Sequence, residues 1–437
     1  SIEMHAKPRT GKGKRSPRIG IIYPSGWGNL GDEAILQATF EGLRERWPDV
    51  SLRAFTLHPE RTAGGHGVEA EFLTGISRPM FLSARGDGPF VVRAARSLAR
   101  RTSGVPLVGR LFGVAADLTA SAVFEVASLI SAWRWLRTAD LVLAAGGGQL
   151  DAVWGGAWGQ PYALARWAWL ARRARVPFAF LSVGYGGAKT GMSRRLLRYA
   201  VSQAAYCSVR DSGSLALTRQ LGVHSDLPVV PDLAFGLGSK PPFQPKRPGH
   251  DIGISPMVFM RPGNWPDQDH GEYEKYVTLW TGLVAATVAR GDRVHLFVTD
   301  PADMNAVRDV WARLDEATRA GCSVADADTP GSLLELFRRL DIVVSSRLHG
   351  VLLAIVAARP VLGLSHERKV RAVMNDAGVE AFCLDLPTAS LDQVTTSLGS
   401  LLDELDPCAR QLRDYAASAR AAVRQQQDLL PDLLRNR

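Results

Sequence analysis

Short apolar runs that alternate with helical stretches are the feature that most limits how this chain can fold. Arg18 to Tyr23 (RIGIIY) is predicted to be a buried strand, and a glycine-rich turn and a helix follow it. The same order of strand, turn and helix recurs at Asp140 to Ala145 and at Asp341 to Ser346. Strands that are separated by helices favour parallel sheets. The sequence therefore predicts an α/β protein.

One break divides this pattern into two halves. Gly236 to His250 (GLGSKPPFQPKRPGH) has the glycine and proline content of a linker, and a new strand begins directly after it. Both halves are expected to be doubly wound and to face each other across a cleft, since such sheets bind ligands at the carboxyl ends of their strands. The expected organisation is a first domain, a linker, a second domain and C-terminal helices, over residues 18–236, 237–250, 251–400 and 401–437.

Positive charge is concentrated in two stretches of the chain. The formal net charge is +9, and residues 1–17 form a basic arm that is expected to be disordered or left over from an expression vector. Residues 75–140 hold nine arginines against four acids and are predicted to be an Arg-rich helical insertion. A solvated helix face explains these arginines, and peripheral contact with an anionic membrane is the alternative. The arginines concerned are Arg93, Arg96, Arg100 and Arg101.

The composition also limits the partners and the compartment. The four cysteines lie far apart without a CxxC pair, so neither a disulfide framework nor a structural zinc site is expected. The sequence contains no Ser-His-Asp order and no HExxH motif, and we expect no cofactor and no metal. Nucleic acid is not an expected partner, because basic and aromatic residues are not interleaved. The expected localisation is the cytoplasm, with the inner face of the plasma membrane as an open alternative.

The first glycine-rich turn contains polar residues at the start of a predicted helix. Its sequence is Gly26-Trp27-Gly28-Asn29-Leu30-Gly31-Asp32-Glu33. Glycines allow close approach of the backbone, and the amides of a helix start favour an anion. The spacing matches neither GxGxxG nor a Walker loop. Asp32 is explained equally well as a helix cap and as a functional carboxylate. A second turn, Gly146-Gly147-Gly148, makes room for a neighbour, which is either a helix or a ligand.

Cations stand at the carboxyl ends of three predicted strands. Arg347 and His349 follow the strand DIVVSS, Arg210 follows CSV, and Lys369 follows VLGLS. An arginine beside a helix start suits a phosphate or a carboxylate. His349 would donate a proton or hold a phosphate oxygen. If these residues converge on one cleft, they would form a receptor for a small, highly charged anion.

Together these blocks resemble the polysaccharide pyruvyl transferase family. The matching segments occur in order within residues 20–375: GNLGDEAI, DLVLAAGGGQL, LSVGYG, SVRDSGSLALTRQLGV, PDLAF and SSRLHGVLLAIVAARPVLGLSHERKV. The resemblance implies two Rossmann-like domains in a GT-B-like arrangement. It also implies a transferase that moves the pyruvyl group of phosphoenolpyruvate onto a saccharide diol, forming a cyclic ketal and releasing phosphate. The implied acceptor is a cell-envelope polysaccharide or its lipid-linked precursor.

The resemblance further implies roles for individual residues. The implied donor-binding residues are Arg210, Arg347, Leu348, Lys369, Asn29, Gly147 and Gly148. His349 is expected to assist the departure of phosphate or to donate the proton, and Asp32 or Glu33 to serve as acid or base. Two features depart from the family pattern: PDLAF lacks a proline expected before Ala, and the insertion 75–140 matches no family motif.

Two other functions are compatible with the same blocks. A nucleotide-sugar-dependent GT-B glycosyltransferase would also use a cleft with glycine-rich turns, although no acidic residue of the second half is clearly placed to hold a ribose. A non-catalytic protein that binds a saccharide or a lipid would share the fold and release no phosphate. The identity of the donor separates these functions.

Overall fold

The computed structural model describes residues 16–76, 106–152, 155–188, 190–222, 226–238, 240, 248–264 and 268–434. Most of the predicted basic arm lies outside these residues, and so do linker residues 241–247. The four arginines of the predicted membrane contact, Arg93, Arg96, Arg100 and Arg101, also lie outside them.

The first sheet follows the predicted strand–helix alternation. Its strands are β1 (Arg18–Ile22), β2 (Ser51–Thr56), β3 (Glu69–Phe72), β4 (Leu141–Ala145), β6 (Phe178–Val183) and β8 (Tyr206–Val209), and a separate pair is β5 (Leu150–Asp151) with β7 (Tyr185–Gly187). The helices are α1 (Leu30–Arg46), α2 (Pro59–His66), α3 (Pro106–Leu136), α4 (Gln160–Ala174), α5 (Gly191–Ser202) and α6 (Ser212–Gln220). The parallel strands are arranged in the order β3-β2-β1-β4-β6-β8, so the winding direction changes between β1 and β4.

The second sheet repeats this topology. Its strands are β9 (Asp251–Ser255), β10 (Arg293–Leu296), β11 (Cys322–Val324), β12 (Ile342–Ser345), β13 (Val361–Ser365) and β14 (Cys383–Asp385), in the order β11-β10-β9-β12-β13-β14. The helices are α7 (His270–Ala289), α8 (Met304–Arg313), α9 (Glu316–Ala320), α10 (Pro330–Phe337), α11 (Leu348–Val356), α12 (Arg368–Asp376), α13 (Leu391–Asp403), α14 (Leu405–Asp428) and α15 (Leu430–Leu433). The predicted α/β class with two doubly wound sheets is confirmed.

Alternate residues of the first sheet belong to two different cores. Ile19 and Ile21 of β1 pack in a core that includes α1, whereas Ile22 packs with residues of α3, α4 and α5 on the opposite face. Both faces of the sheet are therefore covered, as is usual for parallel sheets. The three helices α3, α4 and α5 are called the outer layer below.

One predicted helix is two helices in the structure. The sequence of residues 302–320 predicts a single helix, but in the structure α8 ends at Arg313 and α9 begins at Glu316. The Asp315 carboxylate accepts a hydrogen bond from the amide of Thr318 at 2.7 Å, and this N-cap starts a new helix. Leu314 has extended backbone angles, which end the preceding helix.

The long helix α14 returns to the first sheet after the second sheet is complete. The buried side chain of Gln426 donates to the Ser182 hydroxyl at 3.0 Å and accepts from the Tyr206 hydroxyl at 3.2 Å. It also accepts from the hydroxyl of Ser208. This amide therefore connects the C-terminal helix to strands β6 and β8.

Candidate active site

The start of α1 contacts the second sheet's domain directly. The amide of Leu30 donates to the carbonyl of Thr299 at 2.7 Å, and the Asn29 amide group donates to the Asp300 carboxylate at 3.4 Å. The Asn29 oxygen also accepts from the amide of Gly31 at 2.9 Å, which makes Asn29 the N-cap of the helix. The predicted site residue Asn29 thus lies where the two domains meet. The amides of residues 30 and 31 already donate within the protein, so they do not form the anion site expected of this turn.

His349 crosses from the second sheet's domain to the first. It lies in the first turn of α11, and its ring packs against Gly31 of α1. A Cβ atom at Gly31 would lie only 1.9 Å from Cγ and Nδ1 of the ring, so no other residue type fits there without moving the imidazole. The glycine of the motif GNLGD is therefore required for close packing between the domains.

The imidazole of His349 is buried without a hydrogen bond at Nε2. Burial lowers the pKa of His349 to about 4, the Asp232 charge opposes this shift, and the charges of Arg210, Lys369 and Arg347 reinforce it. The ring is therefore neutral at physiological pH. A buried ring nitrogen without a partner, on which three cations and one carboxylate act, is available to hydrogen-bond an anion.

Arg210 and Lys369 line one small cavity with Leu348. The cavity measures about 10 Å³, which is room for a single water molecule. Arg210 is buried and its guanidinium lies 3.2 Å from the Asp211 carboxylate and 3.4 Å from that of Asp232. Three predicted donor-binding residues, one from the first sheet and two from the second, are thus brought together.

Arg347 is held by carboxylates at the end of β12. Its Nε and one Nη each donate to the Asp303 carboxylate at 2.7 Å, in a bidentate pair, and Asp300 lies 3.9 Å away. Asp303 is fully buried and also accepts from the amide of Val258 at 3.0 Å. A bidentate pair fixes the plane of the guanidinium, so Arg347 is oriented rigidly.

Asp32 lies in the same region and is held by a buried tyrosine. The Tyr23 hydroxyl donates to the Asp32 carboxylate at 2.8 Å. Gly147 makes room for this tyrosine, because a Cβ atom there would lie 2.2 Å from the hydroxyl oxygen. Gly147 also has φ +65°, which favours glycine. The predicted glycine therefore acts on the site through Tyr23.

The pKa of the Asp32 carboxyl is strongly perturbed. Burial raises it from 3.8 to about 7, the hydrogen bond from Tyr23 opposes the shift, and the charges of Glu33, Asp300 and Asp232 add to it. A carboxyl with a pKa near neutrality is suited to proton transfer. Asn29 caps the helix, so the alternative explanation of Asp32 as the cap is wrong.

Two predicted site residues lie apart from this cluster. The Glu33 carboxylate pairs with His66 Nε2 at 2.7 Å and lines a cavity of about 440 Å³ together with Asp328 and Thr329. Successive helix residues point about 100° apart, which explains why Glu33 and Asp32 face different spaces. Gly148 is exposed, and a Cβ atom there would meet nothing within 4 Å.

The structure adds residues that the sequence did not single out. Asp232, Asp300 and Asp303 surround the cations, and Tyr23 holds Asp32. Asp232 and Asp300 also cap short helical turns, so in the sequence they have the pattern of ordinary caps. The site is therefore of mixed charge, not simply cationic.

The described residues contain no group of three or more His, Cys, Asp or Glu side chains that could hold a metal ion. Among the helices that the structure describes, none is both long and apolar enough to cross a bilayer.

Comparison with known proteins supports the same grouping of motifs. The sequence model of the family described as polysaccharide pyruvyl transferase matches residues 29–368. No curated protein matches the chain significantly by sequence.

Solved structures resemble the chain over nearly its whole length. The glycosyltransferase SnogD from Streptomyces nogalater is 16% identical, with a TM-score of 0.51 over 96% of this chain and 99% of its own. A glycosyltransferase from Rickettsia africae is 10% identical, with a TM-score of 0.53 over 97% and 100%. The UDP-GlcNAc 2-epimerase from Methanocaldococcus jannaschii is 9% identical, with a TM-score of 0.53 over 88% and 93%. These similarities show the fold, which is GT-B-like as predicted.

The contact between Gly31 and His349 predicts a specific mutant cycle. We expect Gly31→Ala to lower the free energy of unfolding by about 1–3 kcal/mol, because the methyl group overlaps the imidazole. The cost should largely disappear when His349→Ala is combined with it. Gly42→Ala is the matched control on the same helix, since its methyl group meets only the flexible end of Gln427. Urea unfolding of the single and double variants measures the coupling, and an additive double variant would contradict the contact.

The raised pKa of Asp32 predicts a pH-dependent effect on stability. The folded protein holds this proton more tightly than the unfolded chain, so the stabilisation that the protonated group gives is lost as the pH rises from 3.8 through about 7. Asp32→Asn removes this dependence and keeps an oxygen for the Tyr23 hydroxyl. The variant should gain stability relative to the parent protein between about pH 5 and about pH 8 in urea unfolding. A constant difference across this range would show an ordinary pKa.

Proposed function

The chain belongs to the polysaccharide pyruvyl transferase family, and on that premise we propose that it transfers the pyruvyl group of phosphoenolpyruvate onto two hydroxyls of a saccharide. The products are a cyclic pyruvate ketal and phosphate. The supporting observation is a small cavity lined by Arg210, Lys369 and Leu348, the residue directly before His349, whose Nε2 is buried and has no hydrogen-bond partner. The charges of Arg210, Lys369 and Arg347 all act on the His349 ring. Phosphoenolpyruvate carries a phosphate and a carboxylate within a few bonds, and it needs several fixed donors in a small space.

The donor requires a wider opening than the structure presents. The cavity beside Arg210 and Lys369 holds about one water. At the start of α1 the two domains meet through three contacts: the Leu30 amide on Thr299, the Asn29 amide group on Asp300, and the His349 ring on Gly31. We therefore infer that donor entry separates the two domains at these contacts and that closure then surrounds the donor with cations from both sheets. Closure of this kind excludes water from the reacting groups.

The proposed chemistry assigns separate roles to Asp32 and His349. Asp32, protonated in part near neutral pH, gives its proton to the methylene carbon, and a first acceptor hydroxyl attacks the neighbouring carbon and returns a proton to Asp32. The bond from this carbon to the phosphate oxygen then breaks, and the second hydroxyl closes the ketal, its proton leaving with the phosphate. A proton on His349 Nε2 would hydrogen-bond the departing phosphate. Nearby carboxylates such as Asp232 suit the cationic character that develops on the reacting carbon.

The acceptor is the less constrained half of the proposal. The family name gives a polysaccharide, and we propose a cell-envelope polysaccharide or its lipid-linked precursor. Two hydroxyls of one saccharide must lie close enough to close a ring through a single carbon.

Donor specificity tests the proposal. Phosphoenolpyruvate should raise the melting temperature, whereas a nucleotide sugar should not. With phosphoenolpyruvate and a panel of envelope saccharides, one acceptor should gain the mass of a pyruvate ketal as phosphate is released. Arg210→Gln and Arg347→Gln should each lower kcat/KM by about 100-fold or more, because each removes a charged donor. Arg339→Gln is the matched control, since this arginine is largely exposed. Stabilisation by a nucleotide sugar alone would favour a glycosyltransferase, and no phosphate release with any acceptor would favour a non-catalytic protein.

The pKa of Asp32 predicts the pH dependence of the reaction. A group that must donate its proton is active below its pKa, so kcat/KM should fall as the pH rises through about 7. Asp32→Asn should lower the rate and abolish this descending limb. Glu33→Gln is the matched control and should keep the limb, because Glu33 pairs with His66 away from the cations. If kcat/KM of Asp32→Asn still falls as the pH rises through about 7, another residue must donate the proton.

A further inference from the structure

The helix α3 of the outer layer exposes an apolar stripe, although apolar residues of its last turns, such as Trp135 and Leu136, pack in the core. Val123, Val126, Ile130 and Trp133 are exposed by 63%, 56%, 47% and 38%. Their spacing of three and four residues places them along one face of the helix. An apolar stripe of this width normally faces a protein core. Here it faces outward.

Three polar residues of the same helix, Glu125, Ser128 and Ser131, bond to other side chains of the protein. The buried Glu125 carboxylate forms an ion pair with Arg166 at 2.6 Å and accepts from the Tyr162 hydroxyl at 2.8 Å. Ser128 accepts from Arg166 at 2.8 Å, and Ser131 donates to Glu71 at 3.0 Å. These polar side chains could hydrogen-bond water, but they bond to other side chains of the protein instead. The helix therefore contains polar as well as apolar residues, and the apolar stripe lies on its exposed face.

Positive charge surrounds the stripe. Exposed arginines lie on or directly after the three helices of the outer layer: Arg134, Arg137, Arg172, Arg173, Arg175, Arg194, Arg195 and Arg198. In the described side chains of these helices, over 121–136, 160–174 and 191–202, the one acidic residue is Glu125, and it is buried. Trp169 of α4 and Met192 of α5 are also exposed, by 47% and 49%. The outer layer therefore combines exposed apolar side chains with an excess of positive charge.

We propose that the outer layer binds the surface of an anionic phospholipid bilayer. The apolar stripe would enter the boundary between the lipid headgroups and the acyl chains, and the arginines would contact the lipid phosphates. Interfacial helices bind bilayers in this way. A second copy of this face fits less well, because it would bring arginines against arginines. Nucleic acid also fits less well, because its bases stack on aromatic rings, and the exposed apolar side chains of the outer layer are mostly aliphatic. This inference does not depend on the proposed transferase activity.

Sedimentation with lipid vesicles tests the inference. The full chain should bind vesicles of phosphatidylcholine with about 30% phosphatidylglycerol, and bind pure phosphatidylcholine vesicles weakly. Val126→Gln/Ile130→Gln should lower the partition coefficient by about tenfold or more, because two apolar side chains no longer enter the bilayer. Arg194→Gln/Arg195→Gln should also lower it, and added salt should then have a smaller effect.

The matched controls are exposed residues of the same types outside the outer layer. Val324→Gln/Leu429→Gln and Arg308→Gln/Arg339→Gln should leave vesicle binding unchanged. Since all these positions are exposed, thermal unfolding should confirm that the variants fold. Three outcomes would overturn the inference. They are vesicle binding that Val126→Gln/Ile130→Gln does not alter, dimerisation in sedimentation velocity that this variant abolishes, and an oligonucleotide that binds the arginines while vesicles do not.

Discussion

The packing of the His349 ring on Gly31 is the contact on which the candidate site depends. It joins the first turns of α1 and α11, which belong to different sheets, and so brings Asp32 near Asp300 of the second sheet's domain, whose charge helps to raise the pKa of Asp32. The same contact keeps water from the ring, and this burial is the main cause of the low pKa of His349. The absence of a side chain at Gly31 therefore affects both the packing between the domains and the charge state of the His349 imidazole.

A second glycine controls Asp32 through one intermediate residue. Gly147 leaves space for the Tyr23 hydroxyl, Tyr23 donates to Asp32, and the buried carboxyl then holds its proton near neutral pH. The hydrogen bond alone would lower the pKa, so burial and the neighbouring acids must dominate. The glycine-rich turn after β4 thus shapes the acid–base group without touching it. This arrangement explains why a turn with no functional side chain occurs in the motif.

The sequence predicts the parts of the site that follow from the topology of the sheets. It does not predict the parts that depend on how a helix is rotated or on which side chains are buried. Parallel strands bring their carboxyl ends to one edge, so Arg210, Arg347 and Lys369 could be assigned to one cleft. The choice between Asp32 and Glu33 depends on how α1 is rotated, and adjacent positions carry no such information. The acids that orient the arginines were missed for another reason. In the sequence Asp232 and Asp300 are indistinguishable from helix caps, and Asp303 from a solvated residue; only the packing of the loops shows what they contact.

The two charged regions of the protein lie on different sides of the first sheet and differ in how their charge is neutralised. At the cleft every arginine is paired with a carboxylate, as in Arg210 with Asp232 and Arg347 with Asp303, so the guanidinium groups are fixed in place. On the outer layer the exposed arginines greatly outnumber the acids among the described side chains of 121–136, 160–174 and 191–202, where Glu125 is the one acid and is buried, and this excess favours long-range attraction over precise positioning. The outer layer covers a face of the sheet, whereas the cleft lies at the carboxyl ends of its strands.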